Sequence, residues 1–256
     1  MTDDVTFSID GAIATITLNR PQKLNAVTPE MAEAITAAVA ECNDSDTIRV
    51  VIVTGAGERA FCAGSDIKEL DTYETPWQFR NRPDYCDAIR KLLKPTLCAV
   101  NGYAFGGGLE TAMSCDIRIA SENAQFAAPE IKLGWIGGGG MSAFLAHSVG
   151  PSNAALMIMT GDPINAEKAL AWGLVSEVVP LASLMDRARA IAATIASRAP
   201  IAAETAKANL RAAFSMPLEN AIEYERDLQT ICFATADAAE GRAAFKEKRP
   251  PVFSRK

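Results

Sequence analysis

The chain has 256 residues, enough for one large core and a modest appendage, and its 49% apolar and 22% charged composition is that of an ordinary globular protein. A net charge of −6 offers no electrostatic footing for nucleic acid, and no apolar run reaches the roughly 18–20 residues that cross a bilayer, so neither partner is expected. Six cysteines without C-x-x-C spacing and a single histidine argue for reduced, packed thiols and no metal site, and the acidic opening MTDDVTFSID, where a leader would be basic, argues for the cytoplasm.

In chain order, Val5 to Ile9 and Ala12 to Leu18 flank Asp10-Gly11, a two-residue signal for a β-hairpin. Thr28 and Pro29 are N-cap and first-turn residues of a helix whose Met31, Ile35, Val39 and Cys42 share one face. The apolar strand Val50 to Val53 runs into a small-residue turn, Thr54 to Gly57, and Phe61 to Ile67 then carries a second glycine turn that opens a short helix. From Lys68 to Lys94 the sequence becomes polar and aromatic, with Tyr73, Trp77 and Phe79 ahead of a helix carrying Tyr85, Ile89 and Leu92; this stretch is expected to form a mobile wall.

A further strand, Thr96 to Val100, leads to Gly106-Gly107-Gly108 and a helix start at Leu109. Glycine lets backbone amides approach another molecule, and the first amides of a helix are unpaired and slightly positive, so this turn can hold an oxyanion. Glu110 falls in that first turn, and Glu130 follows Pro129 after a strand at Ile117 to Ala120. Two carboxylates beside an anion-stabilising turn can make an acid/base site. Strand, turn and helix recur three times before residue 120, which predicts an α/β fold, either a spiral of β-β-α units or a wound sheet.

A second glycine cluster, Gly137 to Gly140, precedes the apolar Met141 to Val149, where His147 is expected to be packed, and a strand from Val175 to Val179 closes the body. Beyond Pro180 only helices are predicted, over about 181–197, 201–214, 218–233 and 237–248. The change in composition divides the chain into a catalytic core, residues 1–195, and a helical region, residues 196–256, whose Phe233 and Phe245 have too little local chain to cover them. A dinucleotide fingerprint fails because Thr111 stands where the third glycine belongs, and Ser65 lies in A-G-S-D, which is no nucleophile elbow.

Five segments, NRPQKLNAV, AFCAGSDIKEL, VNGYAFGGGLETAMSCDIRIA, FAAPEIKLG and EGRAAFKEKRPPVF, resemble the enoyl-CoA hydratase/isomerase (crotonase) family in order and separation, over nearly the whole chain. The resemblance implies a crotonase-like spiral of ββα units with a C-terminal helical trimerisation region, assembled as a homotrimer or a dimer of trimers. It implies an acyl-CoA thioester substrate, with coenzyme A belonging to the substrate and no separate cofactor. The thioester oxygen would be held by the backbone amides of Ser65 and Gly107, with Glu110 and Glu130 as the hydratase acid/base pair and the Gly138 amide positioning the water. Lys23, Ala63, Asp66, Ile67 and Lys248 would contact the coenzyme A substrate, Lys248 near its phosphates. The implied activity is hydration of a 2-trans-enoyl-CoA, as in fatty acid metabolism. The alternatives are a double-bond isomerase, which needs only one base, another acyl-CoA lyase of the family, or a non-enzymatic binding protein, against which the two retained glutamates count. One stretch departs from the family pattern: hydratases usually read close to G-x-P-G-x-G-G-T-Q-R-L, and this chain has GWIGGGGMSAF from Gly134 to Phe144. Loss of the proline is expected to loosen the turn that holds the water, and loss of the Gln and Arg to alter the acyl pocket.

Overall fold

Every residue of the strand Val50–Gly55 is buried, because it lies inside a sheet covered on both faces. The computed structural model that shows this describes residues 3–256; Met1 and Thr2, which open the predicted core, lie outside the described residues. The strands are β1 (Val5–Asp10), β2 (Ile13–Leu18), β3 (Val50–Gly55), β4 (Ala60–Cys62), β5 (Thr96–Val100), β6 (Tyr103–Phe105), β7 (Ile117–Ser121), β8 (Gln125–Ala127), β9 (Ile164–Asn165) and β10 (Glu177–Val179). The helices are α1 (Pro29–Asp44), α2 (Ile67–Leu70), α3 (Pro76–Arg80), α4 (Tyr85–Arg90), α5 (Gly107–Ser114), α6 (Met141–Val149), α7 (Pro151–Thr160), α8 (Ala166–Ala171), α9 (Leu184–Ala196), α10 (Pro200–Ala212), α11 (Leu218–Phe233) and α12 (Ala236–Glu247).

One sheet has the order β1-β2-β3-β5-β7-β10, parallel except for the β1–β2 hairpin, and the other has the order β4-β6-β8-β9, parallel except at β9. The chain climbs by repeating one step: a long strand in the first sheet, a short one in the second, then a helix. The steps β3-β4-α2, β5-β6-α5 and β7-β8-α6 make a spiral of ββα units. In β3, Val51 and Val53 enter the core shared with α1, α4 and α5. Val50 and Ile52 turn the other way, where Leu184, Ala188 and Ala192 at helical spacing lay α9 over the sheet's outer face.

Local chemistry accounts for the elements. Thr28 caps α1 by accepting from the Met31 N–H, and Met31, Ile35, Val39 and Cys42 are all buried on its inner face. The hairpin loop is Gly11-Ala12, one residue later than predicted, because Asp10 still pairs with Ile13 and Gly11 takes the positive φ of +57°. The last strand starts at Glu177 and not at Val175, which lies buried in the loop after α8. The strand predicted to run straight into the triple glycine is interrupted by β6, a second-sheet strand of three residues.

Five of the six cysteines are buried and all six are unpaired; burial pushes the Cys42 and Cys62 thiols up to about 12. No helix of the described residues is long and apolar enough to cross a membrane.

A buried ionic cluster ties α10 and the chain's last residues to the start of β5. Lys207 Nζ lies 2.8 Å from Asp116 Oδ2, donates to the Lys94 carbonyl at 2.8 Å and reaches Thr96 Oγ1 at 3.3 Å. Lys94, fully buried, pairs with Glu204 at 3.1 Å, and Glu204 also pairs with Arg255. Asp237 accepts from the Ser254 and Arg255 amides, closing the tail onto α12. Removing one member of a buried pair strands the other, so Lys207→Met is expected to cost on the order of 3 kcal/mol, read as a lower urea midpoint by circular dichroism.

Candidate active site

Because β4, β6 and β8 run parallel and side by side, their C-terminal ends emerge together, and each end carries a turn. Ala63-Gly64-Ser65 follows β4, Gly106-Gly107 follows β6, and Pro129-Glu130 follows β8 by one residue. Segments more than sixty residues apart thus meet at one place. The turns are in close contact. Gly64 has φ +98°, and a Cβ there would lie 3.2 Å from the Gly107 nitrogen. A Cβ on Gly108 would lie 2.0 Å from the Cys62 carbonyl oxygen, so α5 starts directly against the end of β4 only because that residue is glycine. Gly107 opens α5, where the first amides lack intrahelical acceptors, and its carbonyl accepts from Thr111 Oγ1 at 2.7 Å. The Ser65 amide has no backbone acceptor among the described residues, although its neighbours Gly64 and Asp66 bridge to Val27.

The two glutamates are both buried, 5% and 9% exposed, but in unlike surroundings. Glu110 Oε1 accepts the Gly139 amide at 2.7 Å and the Met141 amide at 3.1 Å. Burial pushes the Glu110 carboxyl up, the neighbouring Glu130 charge adds to this, and the two amides oppose both. Glu130 sits in the 3-10 turn Pro129–Leu133; burial pushes its carboxyl up as well, and its Oε2 is buried with no partner among the described residues. Two amides at Oε1 oppose the effect of burial on Glu110, whereas Glu130 Oε2 has no donor among the described residues, so the two carboxyl groups differ in their hydrogen bonding.

Both open onto one cavity of about 770 Å³. Of the residues singled out in the sequence, Ala63, Ser65, Ile67, Gly107, Glu110, Glu130 and Gly138 line it. Phe79 and the α3–α4 segment supply a wall, as expected, while Trp77 is 75% exposed and outside it. Lys23, Asp66 and Lys248 do not line the cavity. Lys23 is exposed in the turn Pro21–Lys23, and Lys248 is the exposed, left-handed cap of α12. The Asp66 carboxylate is engaged elsewhere, capping α2 at the Lys68 amide and pairing with Arg20 at 3.3 Å.

Two expectations need correction. His147 is exposed and not packed in the core: it lies on the outer face of α6, its ring 4.8 Å from that of Phe214. The second concerns the glycine stretch, which lacks the proline but is tied by hydrogen bonds: the Glu110 carboxylate holds the Gly139 and Met141 amides, and Arg90 donates to the Gly139 carbonyl at 2.8 Å. The amides on Glu110 are therefore those of Gly139 and Met141, with Gly138 left facing the cavity.

Sequence reasoning missed Asn25. Fully buried with φ +54°, it accepts from the Arg20 amide and donates to the Ala56 and Ala60 carbonyls, fixing the approach to β4. The signal is an Asn between a turn and the start of a helix, a residue that tolerates the left-handed region.

Comparison with known proteins places this geometry. Residues 8–256 match the model of a family described as enoyl-CoA hydratase/isomerase. The chain is 38% identical to the (E)-benzylidenesuccinyl-CoA hydratase of Thauera aromatica, over 97% of this chain and 98% of that one. It is also 38% identical to the short-chain-enoyl-CoA hydratase of Clostridium acetobutylicum, over 96% of each. The crystal structure of an enoyl-CoA hydratase from Bacillus anthracis superposes with a TM-score of 0.94 at 34% identity, covering 99% of this chain and 100% of that one.

The raised Glu110 carboxyl has a consequence for stability. A group whose pKa is higher folded than unfolded disfavours the native state once it ionises, so stability is lost as pH rises from the ordinary carboxylate range through the raised value. Glu110→Gln, which cannot ionise, is expected to gain melting temperature relative to the wild type as the pH is raised from about 5 to 8, measured by calorimetry.

Proposed function

Because this chain belongs to the enoyl-CoA hydratase/isomerase family, we propose that it adds water reversibly to a 2-trans-enoyl-CoA, giving a 3-hydroxyacyl-CoA. The observation that carries the reading is the pair of buried carboxyl groups on one cavity, Glu110 clasped by two amides and Glu130 with its Oε2 free of any donor among the described residues, beside the Ser65 and Gly107 turns. In this mechanism the Ser65 and Gly107 N–H groups receive the thioester oxygen and draw charge onto it, which leaves C3 electron-poor and stabilises the enolate. Losing one such donor costs on the order of 3 kcal/mol in comparable sites. Glu110, ionised, takes a proton from water as the oxygen bonds to C3, with the Gly138 turn beside it, and Glu130, neutral, gives a proton to C2. The reaction balances with acyl-CoA and water alone. Ala63 and Ile67 border the thioester arm, and Lys23, Lys248 and the turn capped by Asp66 are left for the part of coenzyme A that extends beyond the cavity.

The test is loss of the conjugated thioester absorbance of crotonyl-CoA and a panel of longer and branched analogues. Glu110→Gln and Glu130→Gln, with folding checked, are each expected to lower hydration by about 10² to 10⁴, and the double variant to be little worse than either. An isomerase would behave otherwise: the wild type would hydrate crotonyl-CoA poorly and migrate a 3-enoyl double bond, and Glu110→Gln would leave that migration intact. A Glu110→Gln enzyme hydrating at the wild-type rate overturns the role given to Glu110.

The same reading treats residues 196–256 as an oligomerisation region, in a cytoplasmic trimer or dimer of trimers. Its support is apolar surface from α10 to α12: Phe214, just after α10, and Phe233 on α11 are each 64% exposed, and Phe245 on α12 is 86% exposed. Covering such a side chain contributes about 1.5–3 kcal/mol. Sedimentation equilibrium is expected to give the mass of three or six chains, and a chain ending at Ser197 to aggregate; a soluble, active monomer of either form would overturn the assembly.

A further inference from the structure

Tyr85 is the first residue of α4, and it is fixed there by Asp84, which caps the helix by accepting the Cys86 amide at 2.8 Å and the Asp87 amide at 3.1 Å. The side chain is buried, borders the cavity, and reaches the two oxyanion turns at once. Its hydroxyl lies 3.1 Å from Ser65 Oγ. A Cβ built on Gly107 would fall 2.0 Å from the same hydroxyl oxygen and 3.0 Å from Cζ, so the phenol fills the space over the Gly107 Cα. The next residue, Cys86, points its thiol at the Gly107 carbonyl, 3.5 Å away.

Two successive residues of α4 therefore touch both turns whose amides were assigned to the thioester oxygen. We propose that Tyr85 is a positioning residue: its hydroxyl, hydrogen-bonded to Ser65 and seated on Gly107, fixes the gap between the two amide donors. This role rests on the hydratase reading above. Burial holds the phenol well above its ordinary pKa, so it acts as a neutral hydrogen-bonding group and not as a base. A merely packed tyrosine would behave differently, because loss of its hydroxyl would lower stability and leave the polarisation of bound thioester unchanged.

The experiment measures that polarisation. An arylpropenoyl-CoA with a para-dialkylamino donor absorbs further to the red as its carbonyl oxygen gains charge, and wild type is expected to shift it on binding. Tyr85→Phe is expected to shift it less and to lower kcat for crotonyl-CoA by about 10- to 100-fold, with KM within about twofold, because small misplacements of preorganised groups act on the chemical step. Ser65→Ala, which keeps the amide and removes the hydroxyl, should match it, and the double variant should be little worse than either. If Tyr85→Phe fails to fold, Ser65→Ala carries the test alone. Folded variants that shift the chromophore as far as wild type and turn over within twofold of it overturn the role while leaving the hydratase reading standing. A wild type that neither shifts the chromophore nor hydrates crotonyl-CoA overturns both.

Discussion

The close approach of Gly108 to the Cys62 carbonyl is the constraint on which the site depends. With a would-be Cβ only 2.0 Å from that oxygen, no side chain can stand at the second residue of α5 unless the helix withdraws from β4. Withdrawal would part Ser65 from Gly107, since Gly64 already lies against the Gly107 nitrogen. Parallel pairing of β4, β6 and β8 brings the three turns to one end of the second sheet, and the missing Cβ lets them interlock. The spiral supplies the coarse placement and glycine the last few ångströms.

The electrostatics follow from that placement. α5 opens at the cavity with Gly107 and carries Glu110 in its first turn, so one element supplies both unpaired amides and a buried carboxyl group. Burying two carboxyl groups near each other is unfavourable for both charges, and the protein treats them unequally. Two amides from the glycine stretch oppose part of the cost at Glu110, where burial still pushes the carboxyl up. No donor among the described residues reaches Glu130 Oε2, so that oxygen is buried without a hydrogen bond.

How much of this was legible in the sequence depended on the length of the signal. α1, α6 and α11 are long enough for periodicity and caps to locate them, and α6 and α11 begin and end where the sequence placed them. Strands β4, β6 and β8, three residues each, carry no period, and they are what converts scattered glycine turns into a site. Glu110, Glu130, Ser65 and Gly107 could be named from motifs, yet the contacts of Asn25, which fixes the start of β4, and of Tyr85, which touches Ser65 and Gly107, could not. Their importance lies in partners far away in sequence, Ala60 for the one and Ser65 for the other. The apolar run around His147 suggests burial all round, whereas α6 buries only Met141, Leu145 and Val149, spaced four apart, which leaves His147 on the open face.

The departure at GWIGGGGMSAF shows how one physical task can be met by different means. A proline stiffens a turn by removing backbone freedom from the unfolded chain, whatever the pH. Here the turn is stiffened by contacts in the folded state: two amides donate to Glu110 and one carbonyl accepts from Arg90. Hydrogen bonds to a carboxylate are about twice as strong as those to its neutral acid. The order of the glycine stretch is therefore linked to the charge on Glu110, and the turn is held most firmly when that carboxyl is ionised.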